Sequence, residues 1–205
     1  MLFRSIGWLL AAWLLITAAV WAWPRLVRLT RFLSAETAWP ALAWVVGIST
    51  ALNLVGIWWG VPARWAVIEL VPQFVTTAVE QRFMHGWFDW YPPVHFYVLT
   101  LAESPLLLLD ALGRLSLTTT LGYGLAMIAG RLASVAAAAG IVVATALCAT
   151  DTFGKRAGWI AAAVMALNAP FVYYAKTANV DVPWVWWAAL SLVFYVRIWR
   201  GGSTV

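Results

Sequence analysis

Four apolar runs, at residues 5–23, 39–59, 129–149 and 183–199, constrain this chain more than any other feature. Each approaches the roughly 20 apolar residues that a helix needs to cross the hydrocarbon core of a bilayer. A fifth run, 157–174, is slightly short but clear. The chain is 64% hydrophobic and 10% charged, whereas a soluble domain carries roughly 25% charged residues. Its sixteen tryptophans suit a membrane–water boundary. The expected fold class is therefore all-α integral membrane, with about five transmembrane helices plus external juxtamembrane or re-entrant helices.

The net charge of +5 reports topology, not nucleic-acid binding. Arg25, Arg28 and Arg31 follow the first run, Lys155 and Arg156 follow the run at 129–149, and Arg197 and Arg200 close the last. Clustered Lys and Arg mark cytoplasmic loops. By that rule 39–59 runs outward, 129–149 inward, 157–174 outward and 183–199 inward. The segment "MLFRSIGWLLAAWLLITAAVWAW" also has the look of a signal peptide. It is read as a retained anchor because no clean small-x-small cleavage site follows and three arginines do.

Parity then limits the apolar run at 94–109. Residues 60 and 129 are both expected outside, so the chain between them crosses twice or not at all. Either 94–109 is interfacial or re-entrant, or it pairs with a second crossing at 115–128. The latter stretch holds three threonines and two glycines, which favours the interfacial or re-entrant reading. The lone cysteine, Cys148, permits no intrachain disulfide and no Cys/His metal cluster.

This topology puts two polar patches on one external face. The loop 60–93 carries Arg64, Glu69, Glu80, Arg82, His85 and Asp89, and the turn 173–183 carries Lys176, Asn179 and Asp181. Ionisable groups at a membrane boundary are functional candidates. Each also has a plainer reading. Glu80 and Arg82 suit the polar face of an amphipathic helix, Asp181 can cap the following helix, Lys176 can snorkel, and His95 can be a packing residue.

The segments "WAVIEL", "GWFDWYPPVHFYVL", "RLASV" and "FGKRAGWIAAAVMALNAPFVYYAKTANVDVPWVWW" resemble, in order, the N-terminal module of GT-C glycosyltransferases. The nearest members are protein O-mannosyltransferases and lipid A aminoarabinose transferases. The resemblance covers about residues 39–200. It implies inverting transfer of a sugar from a polyprenyl-phosphate donor to a lipid, glycan or protein acceptor, at the external or periplasmic face of a bacterial inner membrane. No cofactor is expected, and with Ile68 in place of the family's first acid the clustered carboxylates are too few to propose a metal site. Glu69 and Asp181 become catalytic candidates, and Lys176, His95, Asp89, Tyr91, Asn179 and Arg64 substrate-binding candidates. By position, Lys176, His95 and Arg64 would serve the donor phosphate.

Two departures stand out. Where the family usually has an Asp-Glu pair, this chain has Ile68-Glu69, and isoleucine accepts no proton. Family members are also more than twice as long, so the chain is expected to be incomplete. It divides into an anchor and basic loop over 1–33 and a GT-C-like membrane module over 34–205. The rivals are a truncated or degenerate non-catalytic paralogue and, more weakly, a small transporter subunit.

Overall fold

The computed structural model describes residues 39–64, 66–84, 91 and 93–201. The expected anchor over 1–33, with its run at 5–23, lies outside them. The described residues form seven helices: α1 (Trp39–Leu54), α2 (Pro72–Glu80), α3 (Pro93–Ala111), α4 (Thr120–Phe153), α5 (Lys155–Leu167), α6 (Ala169–Ala175) and α7 (Asp181–Trp199).

Helix α4 is the post around which the rest assemble. Its 34 residues contain no proline, so at about 1.5 Å per residue it is about 51 Å long. The Thr119 side chain caps its start, accepting from Gly122 N at 3.2 Å. Gly154, at φ 90, ends it, with its N–H on Thr150 O at 2.9 Å. The other helices approach α4 over small residues. A Cβ on Gly140 would lie 2.6 Å from the Trp186 ring of α7, and one on Gly158 of α5 would lie 1.9 Å from Thr150 Oγ1. Close approach over small residues is how helices pack in lipid, where apolar burial gives no drive.

The main core joins Leu42 of α1, Ala138, Ile141 and Val142 of α4, Ala162 and Ala166 of α5, Phe171 of α6 and Val182 of α7. The outer surface is no less apolar. Trp44, Ile160, Trp184 and Trp199 are 65–79% exposed, a face suited to lipid. Three helices, α3, α4 and α7, are long and apolar enough to cross a membrane, and α5 with α6 makes a fourth if the bent pair counts as one span. The described residues are thus all-helical, with three to four candidate membrane spans where the sequence suggests about five over the whole chain.

Several expected boundaries shift. The run at 39–59 is a 16-residue helix that stops at Leu54, because Gly56 and Gly60 take φ of 80 and 75 and turn the chain. The run at 157–174 bends by 61° at Asn168. There the extended backbone breaks the helix, and the side chain restarts it by accepting from Phe171 N at 3.0 Å. A separate crossing at 115–128 does not exist, since residues 120–128 are the first turns of α4. Helix α3 packs Phe96 and Leu99 near Ala133 and brings Leu99 and Glu103 over Gly130. A short loop then returns the chain to the start of α4, held by Leu117 N on Asp110 Oδ1 at 3.0 Å. Helix α3 therefore accompanies the first third of α4.

Two ends follow. At one, α1 and α6 finish and α7 begins, around Arg131. At the other, Arg197 of α7 pairs with Asp151 of α4 at 2.9 Å.

Candidate functional site

At the first end stands Arg131, fully buried one residue past Gly130. A buried guanidinium is costly unless its donors are all met. Here Nε donates to Glu69 Oε1 at 2.6 Å and Nη2 to Glu69 Oε2 at 3.0 Å. Nη1 donates to Ile57 O at 2.6 Å and Trp59 O at 2.8 Å, carbonyls of the turn that follows α1. The paired forks of guanidinium and carboxylate give the bidentate geometry that makes such pairs strong. Glu69 is 1% exposed, and its Oε1 also accepts from Ala178 N at 3.2 Å. Leu70 N donates to Ala178 O at 2.6 Å. The loop of 60–93 and the turn of 173–183 are thus sewn together across α4.

Within that turn Asn179, 1% exposed, does most of the folding. Its Nδ2 donates to Tyr174 O at 3.1 Å and to Thr177 Oγ1, and its Oδ1 accepts from Asp181 N at 2.9 Å and Val182 N at 3.2 Å. The capping expected of Asp181 belongs to Asn179. Asp181 is left as an exposed acid in the first turn of α7, where a negative group suits the positive end of the helix. Among the described residues its carboxylate has no partner. Lys176 donates to Val55 O at 2.8 Å, a link from α6 to the end of α1.

The remaining candidates are spread. Arg64 is exposed, with Nη1 on Val67 O at 3.3 Å and its guanidinium 5.9 Å from the Phe74 ring centre. Tyr91 is half-buried against the cluster of Leu70, Val75, Ala78, Phe96 and Leu99. His95 is buried beside Phe96 with no hydrogen bond to either ring nitrogen. Asp89 lies outside the described residues. Glu69, Lys176, Asn179 and Asp181 are therefore gathered around one turn, although Glu69 is buried and Asp181 is exposed. Ile68, next to Glu69, is 40% exposed, so the two neighbours point to opposite environments.

In the sequence Arg131 stands only as the first residue of the "RLASV" segment. A sharper signal was present, because a lone arginine inside an apolar run needs an acidic or carbonyl partner. Glu103 lies inside the apolar run at 94–109. It is 2% exposed, lies beside Gly130 and has no hydrogen bond to Oε2. A further link joins Tyr123 of α4 to Gln73 of α2 at 2.9 Å. Among the described residues no group of three His, Cys, Asp or Glu side chains is placed to hold a metal ion.

No protein-family model, curated protein or solved structure matches the chain.

Proposed function

We propose that this chain is the N-terminal module of a GT-C-type membrane glycosyltransferase that takes a polyprenyl-phosphate-linked sugar and acts at the external face. The observation that carries this reading is the junction of the 60–93 loop with the 173–183 turn, which leaves Asp181 free at its edge. In this reading Asp181 accepts the proton of the acceptor hydroxyl, because a base needs an unengaged oxygen within hydrogen-bond reach of that proton. Glu69, with both oxygens on Arg131, positions the loop. Lys176 has two further N–H donors beyond the one on Val55 O and can meet the leaving phosphate.

The test is sugar transfer from a polyprenyl-phosphate donor by the full-length gene product. Asp181→Asn is expected to lose roughly 10²–10⁴-fold in rate, the usual share of a general base. Undiminished transfer in both Asp181→Asn and Glu69→Gln would remove the site assignment.

A second reading, a degenerate non-catalytic paralogue, is favoured by one observation. The position at which the family keeps its first acid holds an exposed isoleucine, and the neighbouring Glu69 is committed to Arg131. Ile68→Asp separates the readings. Recovery or gain of transfer supports the enzyme. No donor turnover in either wild type or Ile68→Asp supports the degenerate paralogue.

A further inference from the structure

At the opposite end of the bundle a groove of about 320 Å³ runs between α4 and α7. Ala144, Cys148 and Thr152 of α4 line one wall, and Ala189, Leu192 and Val196 of α7 line the other. On α4 these residues fall at i, i+4 and i+8, and on α7 at i, i+3 and i+7. Thr145, Ala149 and Phe153 form a second, adjacent stripe on α4, so that wall is two stripes wide and the α7 wall one. Small side chains make the groove, because Ala144, Ala149 and Ala189 do not reach across it. Two threonines line it, and Thr152 Oγ1 is turned back on Cys148 O at 2.8 Å, so beside Thr145 the lining is mainly apolar. The volume falls at the low end of ligand-sized sites.

The rim differs in character. Continuing the α7 stripe from Val196 by one turn reaches Arg200, and Lys155 and Arg156 follow directly after the α4 wall. All three are exposed, and none has a side-chain partner among the described residues. Among the described residues Asp151 is the one acid at this end, and Arg197 holds it. An apolar slot opening onto three uncompensated cations matches a molecule with a hydrocarbon tail and an anionic head.

From this geometry we infer that the α4–α7 groove binds one acyl chain of an anionic phospholipid, with its phosphate against Arg200, Lys155 and Arg156. Basic sites between membrane helices select anionic head groups in this way. The inference does not depend on the reaction proposed for the other end.

The test reconstitutes the full chain in nanodiscs of equimolar phosphatidylcholine and phosphatidylglycerol and counts retained lipid by native mass spectrometry. Phosphatidylglycerol is expected to be retained preferentially. Arg200→Gln and Lys155→Gln should each lower that preference by about fivefold, the worth of one basic residue at an anionic surface. Ala189→Leu, which fills the slot and keeps the rim, should abolish retention. In delipidated protein Cys148 should react with N-ethylmaleimide, and added phosphatidylglycerol should slow the reaction. Equal retention of both lipids, or a preference unchanged by the two charge substitutions, overturns the inference. So does retention unchanged by Ala189→Leu, which would mean general attraction to the basic end. Cys148 that stays unreactive after delipidation also overturns it, because a protein segment then fills the groove.

Discussion

Arg131 and Glu69 show how much one residue pair can organise. Four carbonyl or carboxylate oxygens converge on one guanidinium, two from the turn at 57–59 and two from Glu69. Arg131→Met alone is expected to destabilise by about 3–5 kcal/mol, the cost of leaving a buried partner unpaired. The double variant Arg131→Met with Glu69→Leu should recover much of that loss. Thermal unfolding in detergent reads both, and a double variant no better than the single would refute the pairing argument. Asp181→Asn should leave stability within about 0.5 kcal/mol, as substitutions at exposed positions generally do. The sequence made Glu69 and Asp181 visible because acids are rare in so apolar a chain. It hid their difference in burial, because adjacent letters such as Ile68 and Glu69 carry no record of which side faces inward.

At the scale of elements, apolar length was a good guide to where helices lie and a poor one to where they stop. Gly122 and Gly124 made residues 115–128 look broken. In the structure they are helical positions that admit neighbours: a Cβ on Gly122 would meet Ser116 O at 2.2 Å, and one on Gly124 would meet Val61 at 2.8 Å. Glycine punctuates a sequence and also permits contact, and only three-dimensional neighbours tell which. The same holds for Gly140. Gly140→Leu should force Trp186 away and cost about 1–3 kcal/mol, as overpacking does, visible as a lowered unfolding temperature. Asn168→Ala removes the cap that restarts the helix after the 61° bend. Its expected cost is about 1 kcal/mol, and backbone amide exchange at Phe171 should rise with it. Unchanged exchange would deny that the cap holds the bend.

At the scale of the molecule, charge counting predicts alternating directions for the runs at 39–59, 129–149, 157–174 and 183–199. It placed the 60–93 loop and the 173–183 turn on one face, and the two are bonded to each other. It could not supply the length of α4, because parity counts crossings and is blind to how far a helix extends beyond one. At about 51 Å, α4 exceeds a hydrocarbon core of about 30 Å by several turns, and α2 and α3 pack against it at the site end. The arrangement predicts that cysteines introduced at Asp181 and Arg200, in a Cys148→Ser background, label from opposite sides of a sealed vesicle. Labelling from the same side would overturn the two-ended description.

The delegation of capping to Asn179 has a practical consequence for experiment and for evolution alike. Because a neighbour secures the start of α7, position 181 is released from capping the helix. Its side chain can be exchanged for amide, alkyl or longer acid without asking the helix to re-form. Whatever changes with that letter is then a change in what the protein does, measured on a scaffold that stays the same.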